Sequence, residues 1–252
     1  MHRYRLTVEY HGGPFVGWQR QDNGDSVQGA LEAAGRALTG ADAPVAGAGR
    51  TDSGVHALAM TAHIDLARPF PAHTVREALN AHLRPAPVSV LAAAAAPEGF
   101  HARFSCAGRR YLYRILDRRA PPALKAGRVW HVPRTKGGRL DADAMDAAAQ
   151  ALVGQHDFTT FRSAHCQADS PVRTLDRIMV GRTGDEVVLE VAARSFLHNQ
   201  VRSIAGTLER VGAGRRDAGF VAEALAARDR SACGPVAPAH GLYFAEAVYP
   251  DG

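Results

Sequence analysis

Lysine is almost absent from this chain. Of the 30 lysine and arginine side chains, only Lys125 and Lys136 are lysines. Loops that bind nucleotide phosphates place a lysine directly after their second glycine, so this scarcity counts against that class of enzyme. The arginines that remain can each bind a phosphate through two parallel hydrogen bonds, which a lysine cannot do.

Cysteine and long apolar runs are also scarce. Cys106, Cys166 and Cys233 stand far apart with no Cys-x-x-Cys pair, so we expect reduced thiols and no disulfide framework. The N-terminus, MHRYRLTVEYHGG, alternates apolar and charged residues, and no later apolar run is long enough to span a bilayer. The sequence therefore predicts a cytoplasmic protein with no signal peptide and no membrane partner.

Patterns that bind metal ions are missing as well. The twelve histidines are scattered without the HExxH spacing, and the pair His165-Cys166 has no further ligand at a suitable spacing. We therefore expect that the protein binds no metal ion.

The positive charge is concentrated in one segment. Residues 1–103 carry nine arginines and nine acids, so the net charge of +5 comes from residues 104–252. Within residues 109–139, ten arginines or lysines accompany the single acid Asp117, with three aromatic residues among them. Guanidinium groups for phosphates and aromatic faces for bases are typical of a nucleic-acid surface, although a solvated basic face explains the run equally well.

Hydrophobic periodicity predicts the same order of elements twice, strand-helix-strand-strand-helix-strand. The first set comprises strands near 3–10, 43–48, 57–66 and 87–94 and helices near 26–39 and 73–83. The second comprises strands near 108–117, 172–180, 185–193 and 242–249 and helices near 141–153 and 196–212, with an extra helix near 217–229. We expect an α+β protein of two ferredoxin-like βαββαβ units, residues 1–103 and 104–252, with antiparallel or mixed sheets and a central cleft.

Residues 47–57, GAGRTDSGVHA, form a loop in which two opposite charges stand among glycines. Gly49 and Gly54 have the spacing of a phosphate loop, but the two residues that follow Gly54 are not the required lysine and hydroxyl residue. The loop also lacks the dinucleotide-binding pattern, because Asp52 occupies the place of its third glycine. Neither kind of phosphate site fits.

The single carboxylate of this loop limits its chemistry. Hydrolysis of a glycosidic bond takes two carboxylates, one on each side of the bond. One carboxylate is enough when the detached base returns to the same sugar. Breaking the C1'–N1 bond of a uridine and joining C1' to C5 is such a reaction, with the carboxylate as nucleophile or as base.

The stretch GRTDSGVHA resembles the active-site loop of the TruA-type tRNA pseudouridine synthases, and the resemblance covers nearly the whole chain. The further matching stretches are FVGWQRQ (15–21), SVQGALEAA (26–34), FHARFSCAGRRYLYRI (100–115), DFTTFR (157–162), FLHNQVRSIAGTL (196–208) and GLYFAEAVYP (241–250). Each alone is a weak signal, but they occur together and in the order of that family.

The resemblance implies a role for each candidate residue. Asp52 is implied as the catalytic aspartate, and Tyr111 as the tyrosine that stacks on the target base. Arg50 is implied as the arginine that assists base displacement, and Arg202 as the arginine that keeps the aspartate ionised. The family also implies an isomerase that needs no cofactor and forms a homodimer. Its expected substrates are uridines 38, 39 and 40 in the anticodon arm of tRNA. The arginines expected on the tRNA backbone are Arg109, Arg110, Arg118, Arg119 and Arg128.

The residues taken alone leave alternatives open. Tyr111 also suits a buried strand position, and Arg202 suits a surface salt bridge. A non-catalytic RNA-binding protein of two ferredoxin-like units would use the same basic segment, and a phosphate-binding enzyme is a more distant alternative. Gln200 stands where the family is usually apolar, and its role is not predicted. The sequence also does not choose between covalent attack at C1' and an elimination route.

Overall fold

A computed structural model describes residues 1–133 and 138–250. Part of the predicted basic segment, including Arg134 and Lys136, lies outside these ranges. The chain divides into two compact units. The first comprises Met1–Ala107 together with the C-terminal segment from Tyr243, and the second comprises Gly108–Leu242.

The structure contains strands, α-helices and short 3₁₀ turns. In chain order the strands and helices are β1 (His2–Tyr10), α1 (Val27–Thr39), β2 (Val45–Gly47), β3 (His56–Leu66), α2 (Ala72–Leu83), β4 (Val88–Ala95), β5 (Gly108–Leu116), β6 (Trp130–His131), α3 (Ala142–Ala149), β7 (Gly154–Asp157), β8 (Val172–Thr183), β9 (Glu186–Ala193), α4 (Gln200–Gly212), α5 (Phe220–Ala227) and β10 (Leu242–Val248). No helix among the residues of ranges 1–133 and 138–250 could cross a membrane.

In the first unit, β1 lies between β3 and β4 and pairs antiparallel with both. Strand β2 is antiparallel to β3, and β10 runs parallel to β3. The alternation that predicts β1 appears as burial of Tyr4, Leu6, Val8 and Tyr10. These side chains share one face because successive strand residues point to opposite sides of the sheet.

The helices of the first unit follow the predicted periodicity. Ser26 caps α1, because its hydroxyl accepts a hydrogen bond from the Gly29 amide at 3.1 Å. Both helices bury an apolar stripe and contact each other as well as the sheet. The buried residues are Val27, Leu31, Ala34 and Gly35 in α1 and Val75, Leu79 and Leu83 in α2.

In the second unit, β9 pairs antiparallel with both β5 and β8, and β7 pairs antiparallel with β8. The short strand β6 runs parallel to β5. Helix α3 packs on β8 and on α4. Phe158, Phe161 and Met145 are among the fully buried side chains of this core.

The predicted α+β class is confirmed, and the structure differs from the prediction in detail. Strands β6 and β7 were not predicted, because they are short and show no alternation. Helix α4 begins at Gln200 and not near 196, since Asn199 has a φ of 63° and cannot continue a right-handed helix. The C-terminal segment, predicted as part of residues 104–252, groups with the first unit. Strand β10 pairs with β3 there through Tyr243 and Phe244.

Candidate active site

Asp52 lies in the loop that joins β2 to β3. The backbone carbonyl of Asp52 accepts a hydrogen bond from the Val55 amide at 3.1 Å, which closes a tight turn. Gly54 has a φ of 79°, a conformation that side chains disfavour. Thr51 is buried, whereas Asp52 itself is half-buried, so the turn leaves the carboxylate residue partly accessible.

The segment before α1 holds this loop from the other side. The Trp18 amide donates to the Thr51 carbonyl at 3.1 Å, and Gly17 forms an antiparallel bridge with Asp52. Gly17 has a φ of 121°, and a Cβ atom there would lie 2.5 Å from the Thr51 carbonyl oxygen. Only glycine allows this close approach, so Gly17 fixes the backbone on both sides of Asp52.

Two buried side chains, those of Tyr10 and His56, form hydrogen bonds next to this loop. The hydroxyls of Tyr10 and Thr51 are 2.8 Å apart and hydrogen-bonded. The His56 Nδ1 atom accepts from the Gly12 amide at 3.0 Å, and the His56 ring stacks on Tyr243 with centroids 4.8 Å apart. The sequence alone predicts no role in the site for these residues. Thr51 and His56 lie in the matching stretch GRTDSGVHA and Tyr243 in GLYFAEAVYP, but no residue pattern indicates the contacts that they make.

Arg50, the other charge of the loop, is exposed. Within the described part of the chain its guanidinium forms neither a hydrogen bond nor an ion pair. This group is therefore accessible to an anion or a nucleobase.

Tyr111 and Tyr113 lie two residues apart on β5, in the second unit. The Tyr111 ring is 8% exposed and meets Phe196 edge-on, with centroids 5.1 Å apart. Tyr113 is fully buried, its hydroxyl donates to the Pro238 carbonyl at 2.8 Å, and burial raises its pKa. Tyr113 is therefore a core residue, whereas a small part of the Tyr111 side chain is accessible to solvent.

Arg202 lies in the first turn of α4, also in the second unit. Its Nη1 donates to Asn199 Oδ1 at 2.8 Å, and its Nε donates to the Ala237 carbonyl at 2.7 Å. Two hydrogen bonds from one planar guanidinium hold it in a defined orientation. Burial lowers the pKa of nearby His240, and the charge of Arg202 adds to that effect.

Gln200 is buried at the start of α4. Its Oε1 accepts from the Leu197 amide at 2.8 Å, which closes the turn before the helix. Among the residues that the structure describes, its Nε2 has no partner, and neither has the buried Ser203 Oγ one turn later. A polar residue is therefore placed here by the backbone of the turn and not by a partner side chain.

The basic segment is less positive than its own sequence indicates. Arg114 pairs with Glu186 at 2.7 Å, Lys125 pairs with the same carboxylate, and Arg110 pairs with Glu190 at 3.4 Å. Burial opposes ionisation of Glu186, but the hydrogen bonds from Lys125 and Arg114 outweigh it and lower its pKa. Both acids belong to β9. A count of charges along residues 109–139 therefore does not include them.

The remaining arginines of this segment differ in their surroundings. Asp117 is buried and pairs with Arg182 at 2.6 Å. Arg109 donates to the Arg194 carbonyl at 2.5 Å, and Arg118 to the Ala120 carbonyl at 3.0 Å, so neither contact neutralises the charge. The exposed arginines of the predicted backbone-binding set are Arg119 and Arg128.

Asp52 and Arg50 thus belong to the first unit, and Tyr111, Arg202 and the basic segment belong to the second. No group of three histidine, cysteine or acidic residues suited to hold a metal ion occurs within residues 1–133 and 138–250.

Comparison with known proteins gives consistent results. A family model described as tRNA pseudouridine synthase matches residues 6–105 and 148–250. A protein from Rhodospirillum centenum named tRNA pseudouridine synthase A is 61% identical over 249 residues, covering 99% of this chain and all of the relative. Proteins of the same name from Maricaulis maris and from a Caulobacter species are 59% and 60% identical, and each covers 99% of this chain and at least 98% of the relative.

Proposed function

This chain belongs to the tRNA pseudouridine synthase family and isomerises uridine to pseudouridine in tRNA, and we propose that Asp52 is the residue that carries the reaction. The supporting observation is the structure around its loop. Backbone contacts from Gly17 and Trp18 fix the main chain on both sides of Asp52, while the residue itself stays half-buried. A fixed, accessible carboxylate is what nucleophilic or base catalysis requires.

The reaction conserves all atoms of the substrate. The C1'–N1 bond of uridine breaks, C1' joins C5, and the hydrogen of C5 leaves as a proton while N1 gains one. Asp52 would act either as a nucleophile at C1' or, in an elimination route, as the base that removes a proton from the ribose. Because nothing is oxidised, reduced or hydrolysed, we propose that no cofactor or activated water takes part.

The other side chains would act on the base and on the charge of Asp52. Tyr111 would stack on the displaced uracil, because an aromatic face suits any unpaired base. Arg50 would assist displacement of the base, and its exposure supports that role. Arg202 would keep the carboxylate ionised, and its hydrogen bonds to Asn199 and Ala237 support a fixed orientation.

The tRNA would be held by phosphate contacts. The proposed substrate is the anticodon arm, with uridines 38, 39 and 40 as targets, and the proposed contacts are Arg109, Arg110, Arg118, Arg119 and Arg128. A homodimer would let one tRNA contact two subunits. The site of action would be the cytoplasm, where the substrate is found.

The Asp52→Asn variant tests this proposal. We expect isomerisation to fall at least about a thousandfold while tRNA affinity stays within a few-fold, because the carboxylate supplies chemistry and little attraction to a polyanion. Pseudouridine is measured by carbodiimide-adduct primer extension on purified tRNA. Asp42→Asn, at an exposed acid paired with Arg36, is the matched control and should be fully active. Full activity of Asp52→Asn would favour a different catalytic residue, and inactive wild-type protein would favour RNA binding without catalysis.

A further inference from the structure

Phe104 is unusual among the phenylalanines of the chain. All nine phenylalanines lie in the described ranges, and Phe104 is the only one in the exposed class, with 77% of its surface accessible. A large apolar side chain in that position gains nothing from burial in the fold. Most of the Phe104 surface is therefore available to a ligand.

The turn that carries Phe104 is tightly hydrogen-bonded. The His101 Nδ1 atom accepts from the Arg103 amide at 3.1 Å and from the Phe104 amide at 3.4 Å. The His101 amide donates to Ser105 Oγ at 3.0 Å, and the His101 carbonyl accepts from the Ser105 amide at 2.9 Å. Phe104 is thus displayed by a defined turn and not by a loose loop.

The turn is anchored to the core of the first unit. The Ala102 amide donates to Nδ1 of the buried His63 at 3.1 Å, and the Ala102 carbonyl accepts from the Tyr249 hydroxyl at 2.6 Å. The His63 and His101 rings have centroids 4.6 Å apart, and the His101 and Phe104 rings 4.3 Å apart. A column of three rings therefore runs from the core to the exposed face of Phe104.

The charge near this ring suits an anionic ligand. The guanidinium carbon of Arg103 lies 5.8 Å from the centroid of the Phe104 ring. Arg103 adjoins Phe104 in the chain, whereas the nearest acid in the sequence, Glu98, comes six residues before Phe104. An exposed aromatic face beside a guanidinium is the combination that unpaired bases and their phosphates recognise.

We propose that Phe104 is a stacking platform for an unpaired nucleobase of the bound tRNA, with Arg103 contacting the adjacent phosphate. The inference rests on the proposed tRNA substrate and adds a binding subsite in the first unit, separate from the roles of Tyr111 and the basic segment. Because the ring is already held in place, stacking would cost little further conformational entropy.

The test compares tRNA binding by Phe104→Ala, Phe104→Trp and Leu91→Ala, the last at an apolar side chain of β4 that is 46% exposed and lies outside the basic segment. We expect Phe104→Ala to weaken binding about 5- to 150-fold, the range for one base on one aromatic ring, and Phe104→Trp to restore it. Leu91→Ala should bind like the wild type. The single-turnover isomerisation rate at saturating enzyme should stay within about threefold in all three.

Two further measurements distinguish stacking from charge. Phe104→Ala should leave the slope of log affinity against log salt unchanged, whereas Arg103→Ala should reduce it by about 0.7 to 0.9, the value for one phosphate contact. A long RNA duplex without unpaired bases should bind the wild type and Phe104→Ala equally, because the bases inside a duplex already stack on neighbouring bases with both faces.

Several results would overturn the platform. One is a tRNA affinity of Phe104→Ala that lies within twofold of the wild-type affinity. Another is a loss of affinity for the RNA duplex in Phe104→Ala that equals its loss of affinity for tRNA. A change of oligomeric state in light scattering would assign the ring to contact with a second copy. Wild-type isomerisation is measured in parallel: active wild type with unaffected Phe104→Ala rejects only the platform, whereas inactive wild type rejects the proposed function itself.

Discussion

Tyr111 and Tyr113 share a strand and a face, yet their surroundings separate their expected roles. Tyr111→Phe keeps the ring and should bind tRNA normally, and its rate should fall only if the phenol transfers a proton. Tyr111→Ala should weaken binding by about 1 to 3 kcal/mol, since it removes the stacking surface. Tyr113→Ala should lower the melting temperature first, because it empties a fully buried site and removes the hydrogen bond to Pro238.

Melting curves and single-turnover rates for the three variants decide between these roles. A stably folded, inactive Tyr113→Ala together with a fully active Tyr111→Ala would mean that the stacking tyrosine is Tyr113. Truncation of a buried aromatic residue typically costs about 3 to 5 kcal/mol, so the stability effect should be easy to detect.

At the scale of elements, the pairing of β5 with β9 divides the basic segment into neutralised and available arginines. Arg119→Ala should reduce the salt dependence of tRNA binding by about 0.7 to 0.9 in log–log slope, because each neutralised phosphate releases counterions. Arg110→Ala should reduce it by less than half of that, since Glu190 at 3.4 Å already shares the charge of Arg110. Affinity is measured by filter binding between low and moderate salt.

Glu190→Gln provides the control for this comparison. It should strengthen tRNA binding and steepen the salt dependence, because it releases the Arg110 guanidinium. Equal slopes for Arg110→Ala and Arg119→Ala would mean that the ion pair with Glu190 opens when tRNA binds.

Local elements of the fold could be predicted from the sequence because their signals are local. Alternation gave β1, and the capping hydroxyl of Ser26 marked the start of α1. The start of α4 was placed too early because apolar spacing continues through 196–199, whereas the left-handed φ of Asn199 does not show in that pattern.

Contacts between distant elements could not be predicted in the same way. The acids that neutralise Arg110 and Arg114 come from a strand more than 70 residues later, and only the register of β5 and β9 brings them together. Asp52 is proposed from its motif. The close approach of Gly17 to Thr51 that fixes its loop depends on a backbone angle, which no residue pattern specifies.

At the scale of the whole molecule, His63 should make stability depend on pH. Burial, with the nearby charges of Arg3 and His101, lowers its pKa from 6.5 to about 4, and its Nδ1 must be unprotonated to accept from Ala102. The resulting stability is fully present above pH 6.5 and is lost as the pH falls toward 4. The loss should reach about 3 kcal/mol at most and appear as a falling melting temperature.

His63→Asn isolates this contribution, because an amide oxygen can accept from Ala102 but does not titrate. Its melting temperature should vary less between pH 6.5 and 4 than that of the wild type, while His73→Asn, at an exposed position of α2, should match the wild type. Asp65 does not compete with His63 as the titrating group between pH 6.5 and 4, since its hydrogen bond with Arg3 lowers the pKa of Asp65 below that of an ordinary aspartate. Parallel curves for His63→Asn and wild type would assign the pH dependence to other groups.

The return of the C-terminal segment to the first unit has a consequence for the order of synthesis. A ribosome makes residues 108–242 in full before it makes most of β10, the strand that pairs with β3 next to the Asp52 loop. Domains generally fold as they emerge, N-terminal ones first. Here the first unit also needs β10, so the unit that holds the carboxylate is completed only after the whole of the second unit has been synthesised.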